Sequence, residues 1–129
     1  MIFADSSFFI ALLNKKDQWH KDIPKVLPQI GKVKKITSIL VLSETVTLVG
    51  SLSGGKAGVL IYEYIIDNYE VVYMDKTLSN NAMEKFIQYD GTLSLADCVS
   101  LEIMEMHQVN SIVSFDSDFD KVKNLNRIH

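Results

Sequence analysis

A chain of 129 residues, 47% apolar and 22% charged, has the size and composition of one globular domain spanning 1–129 with a core of its own. Its net charge of −3 excludes a broadly basic nucleic-acid-binding surface, although not a nuclease whose metal ions offset a negative site. One cysteine, Cys98, excludes an internal disulfide, and no apolar run approaches the ~20 residues of a membrane helix. The chain opens on a strand-like segment with no basic stretch before it, so no signal peptide and a cytoplasmic location are expected.

In chain order, residues 1–5 read as a short buried strand, with Ser6 or Ser7 capping a helix over Phe8–Asn14. A second helix runs from about Trp19 to Ile30, with Pro24 in its first turn and Pro28 ending or kinking it. A strand at Lys35–Thr37 leads into a helix at Ser38–Leu52 capped by Ser38. The segment Ser53-Gly54-Gly55 reads as a flexible loop before the next helix, Ala57–Asp67. A strand at Glu70–Met74, a helix at Leu78–Tyr89 ending on Asp90-Gly91, and a helix at Leu95–His107 follow. Strand Ser111–Phe115, a turn around Phe119–Val122 and a strand near Arg127-Ile128 finish the chain. Strands alternating with helices predict an α/β fold, a mostly parallel sheet covered on both faces.

Four acidic residues interrupt these apolar segments: Asp5, Glu44, Asp97 and Asp116. A carboxylate on a buried face costs several kcal/mol unless paired, protonated or bound to a cation, and no Lys or Arg lies close in sequence to Glu44 or Asp97. Asp5 and Asp116 fall at carboxyl ends of strands, where open parallel sheets form their binding sites. Glu44 has Leu40, Val41, Thr47 and Leu48 as same-face neighbours, so its face is expected to point at protein rather than water. Each residue also has an ordinary structural role open to it. Asp5 can cap a helix, Ser94-Leu95-Ala96-Asp97 fits a capping box, and Asp116 can start a turn.

Two other motifs fail on their chemistry. Gly50-Ser51-Leu52-Ser53-Gly54-Gly55-Lys56 has a phosphate-loop spacing, yet Ala57 stands where Ser or Thr is required and a helix precedes it. Asp116-Ser117-Asp118-Phe119-Asp120 alternates carboxylates as a calcium loop does, but Lys121 replaces the needed Gly and Arg127 the bidentate Glu. His20, His107 and His129 have no zinc-like spacing with Cys98, and Trp19 and His20 read as packing. The apolar helical segments Phe8–Leu13 and Ala57–Ile66 exceed what one side of a small sheet covers, and a homodimer is expected to bury the surplus.

Laid out in order, these segments make the chain resemble the PIN-domain ribonucleases, and most closely the VapC-type toxins of toxin–antitoxin pairs. The resemblance runs through Met1-Ile2-Phe3-Ala4-Asp5-Ser6-Ser7, Leu42-Ser43-Glu44, Leu93-Ser94-Leu95-Ala96-Asp97 and Ser114-Phe115-Asp116-Ser117-Asp118-Phe119. It implies a three-layer α/β/α fold and an endoribonuclease that cleaves RNA with Mg²⁺ or Mn²⁺. It also implies catalytic and metal-holding roles for Asp5, Glu44, Asp97 and Asp116, with Asp118 a further acidic contributor, either Asp116 or Asp118 being the direct ligand, and Ser7 and Ser94 orienting carboxylates. A protein antitoxin docked helix-in-groove is the implied partner. The alternatives are a non-catalytic PIN-like RNA-binding or scaffolding module, and an RNA-processing nuclease outside any toxin–antitoxin pair.

Overall fold

In the computed structural model, which describes residues 1–129, five short parallel strands lie in the order β3-β2-β1-β4-β5. They are β1 (Ile2–Ala4), β2 (Lys35–Ser38), β3 (Glu70–Val72), β4 (Ser111–Val113) and β5 (Asn126–Ile128). Helices α1 (Ser6–Leu13), α2 (Ile23–Ile30), α3 (Ile39–Ser53) and α4 (Gly55–Asn68) connect β1 through β2 to β3. Helices α5 (Lys76–Gln88) and α6 (Leu95–Met106) then carry the chain back across to β4. The two sets of crossovers travel in opposite directions along the sheet. With the usual right-handed connection they cover opposite faces, which gives the three α/β/α layers.

The central strand β1 is buried along its length, and Phe3, Phe8, Phe9, Ile36 and Ile112 are fully enclosed. The chain direction diverges between β1 and β4, the point where parallel sheets open a crevice. There the register pairs Ala4 with Val113, and the Asp5 N–H donates to the Val113 carbonyl.

Several local expectations are corrected. α1 starts at Ser6, and Asp5 occupies the N-cap position without making a side-chain cap. The segment from Trp19 is a 3₁₀ turn (His20–Asp22) before α2, with Pro28 inside the helix two residues before its last residue, Ile30, and Gly31 as the C-cap. The Ser53–Gly55 stretch is no loop. Only Gly54 separates α3 from α4, and its φ of 94° supplies the left-handed bend. Nor is α1 a spare apolar surface, because Phe8, Phe9 and Ala11 are wholly buried and of its large apolar residues only Leu13 is markedly exposed.

Candidate active site

Asp5 leaves β1 into the crevice and is 5% exposed. Its Oδ2 accepts hydrogen bonds from the hydroxyls of Ser7 (2.9 Å) and Ser114 (2.8 Å). The two hydroxyls also lie 3.1 Å from each other, and each in turn accepts a backbone N–H group. Ser7 takes that of Phe115 (2.9 Å) and Ser114 that of Asp116 (3.1 Å). The two serines thus bolt the first turn of α1 to the end of β4 and fix the carboxylate between them. Arg127 supports the same corner from outside. It forks onto Asp120 through Nε (2.8 Å) and Nη2 (3.0 Å) and donates through Nη1 to the Ser114 carbonyl (3.2 Å).

Asp97 reaches the crevice from the first turn of α6, where it forms a complete capping box with Ser94. Asp116 Oδ1 accepts the Asp118 N–H (2.9 Å), an Asx turn that starts the 3₁₀ helix Ser117–Lys121. Capping, turn formation and site-building therefore coincide here, since each bond holds one carboxylate oxygen. The other oxygens, Asp5 Oδ1, Asp97 Oδ1 and Asp116 Oδ2, accept no hydrogen bond of ordinary geometry.

The electrostatics show the grouping. Burial pushes the Asp5 carboxyl above its ordinary range against the lowering effect of the Ser114 and Ser7 hydroxyls, and the charge of Asp116 adds to the rise. Asp97 is pushed up to about 6, first by burial, then by the charge of Asp5, with Asp116 contributing less. Asp118 forms an ion pair with Lys121 (3.3 Å), which occupies Oδ1.

All five acids, with Ser7 and Ser94, line one cavity of about 620 Å³. The expectation for Glu44 is corrected. The buried face of α3 is Val41, Leu42, Thr45 and Val49, whereas Glu44 is exposed and shares the opposite stripe with Leu48 and Leu52 along the cavity wall. Asp5 alone among the five is fully buried, and no three carboxylates stand close enough to enclose a cation by themselves. Sequence reasoning missed Ser114, although a hydroxyl interrupting the apolar run Ser111–Phe115 is the same signal that exposed the carboxylates. It also missed Asn14, Asp17 and Gln18, polar residues of the loop after α1 that join the wall and carry no such signal. Trp19 belongs to the wall as well.

Residues 2–125 match the PIN domain. The 23S rRNA-specific endonuclease VapC20 of Mycobacterium tuberculosis is 30% identical over 121 residues, 92% of each chain. The crystal structure of that protein, described as a sarcin–ricin loop cleaving toxin, aligns at TM-score 0.83 and 27% identity over 94% of both chains. FitAcB from Neisseria gonorrhoeae aligns at TM-score 0.73 over 100% of this chain and 97% of the other, and its 13% identity speaks to the fold alone. With the domain matched over residues 2–125 and a VapC relative matched over 92% of the chain, one assignment follows: the chain belongs to the PIN-domain family, among its VapC-type members.

Proposed function

We propose that the protein is a metal-dependent endoribonuclease, the toxin of a toxin–antitoxin pair, acting on a loop of large-subunit ribosomal RNA. The observation that carries this reading is the convergence of Asp5, Asp97 and Asp116 at the β1–β4 crevice, each with one oxygen anchored and one free. An all-oxygen, anionic donor set lining one cavity fits a hard divalent ion such as Mg²⁺ or Mn²⁺, which keeps several waters of its own. Asp5, Asp97 and Asp116 would hold the ion, with Glu44 and Asp118 supporting it from the cavity wall. When bound, the ion supplies positive charge for the scissile phosphate and lowers the pKa of an attacking water.

The chain's own residues do the rest. Ser7 and Ser114 hold Asp5 in one orientation, so the site is rigid before substrate arrives. Ser94 keeps Asp97 on the crevice side of α6. Without a cation, Asp97 holds a proton at mildly acid pH, and the free Oδ1 is the atom able to exchange it.

The 23S rRNA specificity of the VapC20 relative supports the choice of substrate. For partners, an apolar cavity of about 360 Å³ between α3 and α4, walled by Val49, Leu52, Leu60 and Tyr64, suits an amphipathic antitoxin helix. A second exposed stripe on α4, Val59, Tyr62 and Ile66, suits a second copy of the chain. The test is incubation of the purified protein with a sarcin–ricin hairpin RNA and Mg²⁺ or Mn²⁺, with the products mapped to nucleotide resolution. Defined cleavage that EDTA stops and that Asp5→Asn lacks is the expected result. No cleavage with either ion would overturn the reading.

A further inference from the structure

Six acidic side chains, those of Asp5, Asp17, Glu44, Asp97, Asp116 and Asp118, line the cavity, and no Lys or Arg does. Such a wall repels a phosphate backbone, so part of the hold on an RNA must come from contacts indifferent to charge. The one aromatic side chain in that wall, and so the one that can stack on a base, is Trp19. Trp19 is 38% exposed and lies parallel to Phe115, with an interplanar angle of 2° and ring centroids 5.5 Å apart. Phe115 is itself 7% exposed, so it backs one face of the indole while the exposed remainder of the ring borders the cavity.

The pair is built onto the carboxylate scaffold. The Phe115 N–H is held by Ser7, whose hydroxyl also holds Asp5, and Asp116 is the next residue. On the other side, the Trp19 backbone N–H donates to Asp17 Oδ2 (2.9 Å), and His20 Nδ1 lies 2.6 Å from the Ala11 carbonyl, tying the loop to α1. The backbone that carries Trp19 is thereby anchored, and the indole itself is held by its stack on Phe115. Bases splayed out of RNA loops stack on aromatic faces held in this way, and side-chain amides such as those of neighbouring Asn14 and Gln18 suit base edges.

We infer that Trp19 is a substrate-positioning residue, on which a nucleobase next to the scissile phosphate stacks. The inference rests on the ribonuclease reading above. Trp19 is the only tryptophan, so its fluorescence reports the contact directly. Stopped-flow mixing of the protein with the hairpin RNA of the assay above reads indole emission before cleavage, and steady-state kinetics of Trp19→Leu and Trp19→Phe follow. The expected results are rapid quenching of the wild type and a roughly 5- to 100-fold higher KM for Trp19→Leu, as loss of one stacked base gives. The KM ratio should be the same at low and high salt, because stacking releases no counterions. Trp19→Phe should recover most of the loss.

Wild-type cleavage without indole quenching, or an unchanged KM in a folded Trp19→Leu protein, would overturn the inference while leaving the ribonuclease reading standing. A lower melting temperature with unchanged KM would assign Trp19 to packing against Phe115 and overturn it too. Wild-type protein that neither binds nor cuts the RNA would overturn both.

Discussion

Replacing Asp97 by Asn tests whether the carboxylates form one electrostatic unit. The rise of Asp97 from its ordinary 3.8 to about 6 means that the fold disfavours its charged form. At about 1.4 kcal/mol per tenfold change in proton affinity, the full penalty near neutral pH is about 3 kcal/mol. The residue is only partly buried, so solvent screening leaves about half of that. Asn keeps the capping geometry with Ser94 but removes a negative charge from the first turn of α6, which costs about 0.5 kcal/mol.

The balance favours the mutant by about 1 kcal/mol at pH 7 without metal, or about 3–4 °C in melting temperature for a domain of this size. The sign with pH follows from a raised folded-state pKa. Wild-type Asp97 contributes its stabilising protonated form fully below about pH 4, and loses it as pH rises through about 6. The mutant's advantage should therefore be absent near pH 4, grow between about pH 4 and 6, and be complete above pH 6. With Mn²⁺ at about 100 times its dissociation constant, the wild type should gain roughly 2.7 kcal/mol and the mutant clearly less. Melting curves at both pH values, with EDTA and with Mn²⁺, are the assay. An advantage that persists at pH 4, or an undiminished metal response in the mutant, would refute the shared unit.

Asp116→Asn should likewise remove most of the Mn²⁺-induced rise in melting temperature, whereas Asp118→Asn, whose partner is Lys121, should leave most of it in the same scan. Ser114→Ala removes a hydroxyl that serves both Asp5 and Asp116, and should cost about 1–3 kcal/mol in urea unfolding. The same mutant should show its cleavage optimum shifted to higher pH, read from a pH–rate profile. Thr45, buried on α3 with an unpartnered hydroxyl, should be replaceable by Val with a gain of about 1 kcal/mol, measured by thermal melting. Lys85 bridges Glu102 (3.1 Å) and Glu105 between α5 and α6, and Lys85→Met should lose about 1–3 kcal/mol by leaving the nearly buried Glu102 unpaired.

Much of the fold was legible because its signals are local. The capping serines Ser38 and Ser94 and the Asp90-Gly91 turn, with φ of 51° and 69°, mark element ends wherever the chain goes. Asp5, Asp97 and Asp116 were legible because a charge inside an apolar run is expensive. Glu44 misled because α3 is apolar on nearly all sides: Leu48 and Leu52 look like core in the sequence but form an exposed wall. The Gly54 bend was read as a loop because two glycines beside two serines favour one, and packing of α3 on α4 decides otherwise. The loop from Asn14 to Trp19 was illegible as a site, since only the turn after α1 brings it over the crevice.

The parallel topology also sets when the site can exist. Asp5 is made well before its setting is complete, because one of its two anchoring hydroxyls, that of Ser114, comes 109 residues later. At synthesis rates of about 5–20 residues per second, the first carboxylate waits roughly 5–20 seconds for the strand that completes its setting. Through that interval β1 has one flank without a neighbour, and Asp5 and Asp116 cannot share a pocket. A nascent chain that stops short of β4 therefore lacks the assembled crevice. The crevice is complete only once β4 has been made and paired with β1.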